Sequence, residues 1–183
     1  MGILDEPPPS LEVEETEHGL GYWRERDYLS AETRERLDGA NVILVPREEF
    51  RGESIRAFPQ GTEAFFDHLT DAAATDGISV DLAIDDDEYV ELALHSDTLR
   101  LATIVVSSTV LPVALGVVAN FVTDWLRKKL RPEDCRIETE IVVTRGDELK
   151  AVRFRYAGPA DEGLKSVATE MRQWSVLDEE DPK

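Results

Sequence analysis

The sequence predicts an α+β fold in which an antiparallel sheet of about five to six strands carries helices on one face. Three observations lead there. The stretch Leu101–Thr123, LATIVVSSTVLPVALGVVANFVT, holds no charged residue in a chain that is 32% charged. Short apolar runs occur in pairs, each followed by a segment with helical spacing. The 183 residues fit one domain with a substantial core.

In chain order, Met1–Glu17 holds Pro7-Pro8-Pro9 and six acidic residues with little to bury, so residues 1–28 read as an acidic, Pro-rich tail. Tyr22, Trp23 and Tyr28 at its end are placed against the domain, which spans residues 29–176. Ser30 caps a short helix that Gly39 closes. Asn41–Pro46 (NVILVP) is a short buried strand, and Ile55–Phe58 a second extended piece. Thr62 caps a helix to Ala74, with Phe65 or Phe66, Leu69 and Ala73 on one face, and Gly77 ends it. Ile78, Val80, Leu82 and Ile84 alternate with polar neighbours, as do Val90, Leu92 and Leu94. They predict an antiparallel hairpin turning at Asp85–Glu88.

Ser96 or Asp97 then caps the uncharged segment, which is expected as a long apolar helix to about Leu130, kinked or divided at Pro112. Eleven of its 23 uncharged residues are Val, Ile or Thr, so a strand up to Leu111 is the competing reading. After Pro132, strands Ile137–Thr144 and Leu149–Ala157 flank a turn at Arg145–Asp147. Leu164, Val167, Ala168, Met171 and Trp174 form the stripe of a last amphipathic helix, before an acidic tail over residues 177–183. From Ile55 to Thr144 the order is β-α-β-β-α-β, the ferredoxin-like order, with the hairpin and helix appended.

Composition limits the function classes. A net charge of −19 excludes nucleic acid as a general partner, because backbone binding needs cations to displace counterions. Only five of the 20 basic residues are lysine, and the acid excess suggests a salt-adapted, halophile-like chain. The lone Cys135 cannot make an internal disulfide, and Met1–Thr16 lacks the basic-then-apolar order of a signal peptide. Both point to the cytoplasm.

No catalytic constellation, cofactor motif or metal-ligand set emerges. Asp85–Glu88 is the densest carboxylate group and the basis of a minor metal-dependent hydrolase reading, but it lacks calcium-loop spacing. Pro132-Glu133-Asp134 and Glu148-Leu149-Lys150 imitate a metal-nuclease pattern, yet the predicted hairpin separates them by roughly 33 Å at about 3.3 Å per residue. His95-Ser96-Asp97 has triad letters but is consecutive, which a triad geometry forbids. His18 and His68 are scattered, Cys135 has no histidine near it in sequence, and no Gly-rich phosphate loop is present.

What remains is the apolar segment and the basic run behind it. Arg127, Lys128, Lys129 and Arg131 suit either a helix C-terminus or the cytoplasmic flank of a membrane span. A span would carry a folded unit across the bilayer and part strands that should share a sheet. Ser107, Ser108, Thr109, Pro112 and Asn120 also disfavour insertion. The preferred reading is a core helix. Ser108, Pro112 and Gly116, four residues apart, make a smooth strip suited to close contact with a partner or a second copy. Within a packed core, Gly116→Leu would overpack by roughly 1–3 kcal/mol.

The second half, an apolar helix ending in Asp124-Trp125-Leu126-Arg127-Lys128-Lys129, then a hairpin and an amphipathic helix, resembles a known type. Over residues 97–174 it is similar to the small effector-associated constant components of prokaryotic conflict systems, adaptor-like α/β modules. The resemblance implies a non-enzymatic accessory subunit of a defence system, without catalytic residues, accompanying an effector protein. The alternative is a membrane-associated effector that exposes or inserts residues 101–123.

With 39 acidic against 20 basic residues, self-repulsion acts over about 30 Å at 0.01 M salt. The melting temperature is therefore expected to rise markedly from dilute buffer to molar KCl. A flat or falling melting curve would refute salt adaptation.

Overall fold

The uncharged segment does not form one helix. A computed structural model describes residues 7–49, 52, 54–93, 98–145 and 150–179, with side chains through residue 173. In it the segment divides into a strand, a turn and a shorter helix. Strands β6 (Thr98–Arg100) and β7 (Thr103–Ser107) precede helix α4 (Leu111–Arg127). The β-branched run Thr103-Ile104-Val105-Val106 favours the extended state, so the competing strand reading is the correct one for this part. Ser107 and Thr109 hold the turn, their hydroxyls 2.9 Å apart, and the Val110 amide donates to the Ser107 carbonyl. Pro112 falls in the first turn of α4, where its missing N–H costs nothing, so it starts the helix instead of kinking it.

The elements before this are β1 (Ser10–Thr16), α1 (Leu20–Arg24), α2 (Ala31–Asp38), β2 (Val42–Val45), β3 (Phe58–Pro59), α3 (Thr62–Ala74), β4 (Val80–Leu82) and β5 (Glu91–Leu92). After α4 come β8 (Arg136–Arg145), β9 (Lys150–Pro159) and α5 (Ala160–Glu179). The main sheet is mixed, in the order β1-β9-β8-β7-β2-β4, with β6 also paired to β8. The pairs β2/β4, β6/β8 and β7/β8 are parallel; β2/β7, β8/β9 and β1/β9 are antiparallel.

A wholly antiparallel sheet of ferredoxin-like order is not what forms. That order would seat β8 beside β3, but β8 lies between β7 and β9, while β3 pairs with β5 in a separate two-stranded sheet. The expected hairpin across Asp85–Glu88 is also absent. A single 3₁₀ turn at Asp86–Glu88 passes the chain from β4, parallel to β2, into the small sheet. Leu94 and the candidate caps Ser96 and Asp97 lie outside the described residues.

Helices cover both faces. Alternate residues of the central strands enter two cores. Val42, Leu44, Ile104, Val106, Ile141 and Val143 pack with Phe65 and Leu69 of α3, Val118 and Val122 of α4, and Val167 and Met171 of α5. Ile43, Val45, Val105 and Val142 face the other way, toward Leu20 and Trp23 of α1 and Leu37 of α2. The expectation of helices on one face fails because β2, β7 and β8 are apolar on both.

The N-terminal stretch is also corrected. Ser10–Thr16, read as tail, is the edge strand β1, paired with Ala151–Ala157 of β9. Its acidic residues are what fix it. Glu14 binds Arg153 at 2.8 Å, Glu12 binds Arg155 at 3.4 Å, and Glu140 of β8 meets both arginines from the far side. Leu11 and Val13, on the opposite face, pack against the larger core.

The C-terminal hairpin and helix match their expected order, and Val167 and Met171 are buried as the stripe requires. Residues 146–149 at the hairpin tip are outside the described set. The ring of Tyr156 lies over Gly163, where an added Cβ would sit 2.2 Å from Cε1. Alanine in place of a helical glycine normally gains about 0.5–1 kcal/mol. Gly163→Ala is nonetheless expected to lose roughly 1–3 kcal/mol through overpacking, read as a lower denaturant midpoint.

Candidate functional site

The acidic turn is occupied by structural work. Asp85 accepts hydrogen bonds from the Ser30 amide and hydroxyl and from the Thr33 hydroxyl, and so joins Ser30 in capping α2. The Thr33 bond is the main reason its carboxyl is held below the ordinary aspartate range, with Ser30 and Arg36 adding to it against a contrary effect of burial. Asp86 pairs with Arg36 at 3.3 Å and Glu88 with Arg56 at 3.9 Å. Among the described residues no group of three or more His, Cys, Asp or Glu converges as a metal site.

A second carboxylate performs the same task for α3. Gly61, at φ +91°, precedes that helix and offers no side-chain cap. Glu91 reaches over from β5, accepting from the Gly61 amide at 2.9 Å, the Glu63 amide at 2.8 Å and the Tyr89 hydroxyl at 2.6 Å. Burial alone would raise its pKa, but these bonds outweigh burial and lower it. Burial and the adjacent Glu91 push the Tyr89 phenol up.

The nuclease-like pattern is taken apart by the hairpin. Lys150 pairs with Arg145 at its tip, whereas Asp134 precedes Arg136, which pairs with Pro159 at its foot. Glu148 and the His95-Ser96-Asp97 triplet lie outside the described residues. Cys135 is buried, its thiol 3.5 Å from the Arg131 carbonyl. His18 stacks on Tyr22 and meets Arg153.

The basic run sits at the end of α4 and in the loop behind it. Arg127 pairs with Asp124, Arg131 with Asp134, and Lys129 stands 4.7 Å over the Trp125 ring. Leu130 among them is fully exposed. As a membrane flank the run has no span to serve: among the described residues no helix is long and apolar enough to cross a membrane.

Ser108, Pro112 and Gly116 are brought to the surface. Ser108 belongs to the turn before α4, so the strip starts outside the helix. Pro112 and Gly116 are exposed on its outer side, and nothing lies within 4 Å of a Cβ built on Gly116. These residues do not pack the protein's own core, because α4 turns Ala114, Val117, Val118 and Val122 inward.

Clefts open at two further places among the described residues. One, of about 430 Å³, lies over the sheet face between Trp23, Thr103, Glu138, Glu140 and the Val45–Glu49 loop. Three of its four carboxylates are in ion pairs, Glu140 with Arg153 and Arg155, Glu138 with Arg100, and Glu48 with Arg26, while Glu49 is exposed at its edge. The other, of about 490 Å³, opens between α3, α4 and the link from β6 to β7. Phe65, His68, Phe121 and Trp125 line it, with Lys128 at its rim. The His68 ring centroid lies 5.4 Å from that of Phe121, and its Nε2 is buried with no hydrogen-bond partner among the described residues. Sequence reasoning missed both clefts. For the second, the visible signal was the four-residue spacing of Phe121 and Trp125 beside Lys128.

Comparison of the chain with family models, curated proteins and solved structures found no match.

The Glu91 cap yields a pH test. Its folded-state pKa is depressed from 4.5, so its contribution is complete above that ordinary value and disappears as pH falls through the lower folded value. Glu91→Gln is expected to cost about 1 kcal/mol at neutral pH. The difference from wild type should vanish on acidification, measured by denaturant unfolding across pH 2–7. A pH-independent difference would contradict the assignment.

Proposed function

We propose that the protein is a non-enzymatic interaction module that docks a partner protein along the outer strip of α4. The observation that carries this reading is a contrast between helices. The exposed residues of α2 include Glu32, Arg34, Glu35 and Asp38, and those of α5 include Asp161, Glu162, Lys165 and Arg172. From Ser108 to Thr123 the exposed residues are Ser108, Thr109, Pro112, Gly116, Asn120 and Thr123, none of them charged. In so acidic a chain, an uncharged and shallow face is suited to contact with another protein surface. Gly116 allows a partner backbone to approach closely.

The order of α4, the β8–β9 hairpin and α5 agrees with the resemblance of residues 97–174 to effector-associated constant components. That agreement supports an accessory role in a prokaryotic defence complex. The described ionisable clusters serve helix caps and strand-to-strand ion pairs, which supports a role outside catalysis.

Gly116→Leu separates docking from folding. With open space at that position, the substitution should raise the stability of the isolated chain by roughly 0.5–1 kcal/mol through helix propensity. It should also abolish co-purification of the partner, or self-association if the partner is a second copy. Undiminished assembly of the variant would overturn the assignment of the strip. Recovery of the wild-type chain from its native cell alone and only as a monomer would overturn the module itself, and pelleting with protein-free vesicles would transfer the reading to a membrane.

A further inference from the structure

We propose that the cleft between α3, α4 and the β6–β7 link binds a small amphipathic organic anion, with an aromatic or branched aliphatic body and one carboxylate, sulfonate or phosphate group. At about 490 Å³ it falls within the range of small-molecule sites, about 300–1,000 Å³. Its walls are apolar and largely aromatic: Phe65 of α3, Phe121 and Trp125 of α4, with Leu99 and Leu101 from the strand side. Such walls suit a flat or branched body that gains by leaving water.

The charges at the cleft define the polar end of the ligand. Arg100 is held by Glu138 at 2.9 Å, and Asp124 by Arg127 at 3.3 Å. Lys128 has no partner among the described residues. The one uncommitted charge at the site is thus positive. A cationic ligand would meet no open carboxylate there, and a neutral one would leave Lys128 unused. Arg127, Lys129 and Arg131 adjoin it and form the densest positive region of the chain. The repulsion of the net −19 charge is screened beyond about 10 Å at 0.1 M salt, which leaves Lys128 as the near charge that an anion in the cleft would meet. His68 adds a polar group to the wall, its Nε2 unpaired, so a rotation of the ring would present a donor to the same anion.

The cleft is independent of the docking strip. Phe121, Trp125 and Lys128 lie on a different side of α4 from Pro112, Gly116 and Asn120, by the 100° turn per residue.

The probe is 8-anilinonaphthalene-1-sulfonate, an aromatic anion whose fluorescence rises on transfer to an apolar site. The full chain, shown to be folded by a cooperative thermal transition, should bind it saturably at a single site. Lys128→Glu should weaken binding by about tenfold or more. The same variant should change the affinity of uncharged N-phenyl-1-naphthylamine by less than about twofold, since that ligand has no anion to lose. Ala64→Trp, which places an indole in the cleft wall, should block both probes. Lys128 is exposed, so its replacement tests the site even if Ala64→Trp fails to fold. Absence of saturable binding to the folded wild-type chain would overturn the proposal. So would equal sulfonate affinity in the Lys128→Glu variant.

Discussion

Strands β2, β7 and β8 carry aliphatic side chains on both of their faces, and the rest of the molecule is arranged to cover them. Ile43, Val105 and Val142 point one way, while Val42, Ile104, Val106, Ile141 and Val143 point the other, all nearly or fully withdrawn from water. Burying one such side chain is worth about 1.5–3 kcal/mol, so leaving either face open would consume most of a domain's net stability. Helices α1 and α2 must therefore close one side, and α3, α4 and α5 the other. The parallel pairs β2/β4 and β7/β8 follow from this two-sided cover, since each needs a crossover that returns over a face.

Electrostatics supplies the fastenings. In a chain with 39 acidic residues, the carboxylates that matter structurally are those given a donor. Asp85, from the loop after β4, and Glu91, from β5, each reach over to the amide end of a helix. Glu12, Glu14 and Glu140 bracket Arg153 and Arg155, so that charge holds the outermost strand of the sheet in register. Charged groups on three neighbouring strands cost little desolvation there, because Arg155 and Glu12 remain partly open to water. Acidic character and an ordered edge strand are thus compatible.

Both proposed surfaces meet on α4, the least charged helix. One side of it is buried against the sheet, one side is an exposed uncharged strip, and its C-terminal end borders a cleft with a free cation. The proposed docking face and the proposed ligand cleft share one rigid backbone but use separate side chains. Each can therefore be altered by substitution without rebuilding the other.

The local features were legible in the residues themselves. The Ser30 cap, the face of α3 with Phe65, Leu69 and Ala73, the strand Val42–Val45, and the β8–β9 hairpin with the α5 stripe follow from turn chemistry and periodicity, which act over a few residues. Pairing partners were not legible. Val80–Leu82 alternates equally well for a hairpin or for a parallel edge, and only the neighbouring β2 selects the latter. The acidic Ser10–Thr16 looks like a solvated tail until two arginines about 140 positions away are brought beside it. Leu101–Thr123 carried the same ambiguity. Its lack of charge determined that it would be buried in part, but a continuous apolar run has no period to separate helix from strand. Where the strand ends and the helix begins was decided by the tertiary structure: β2 and β8 offer backbone partners as far as Ser107, beyond which Pro112 can only start a helix.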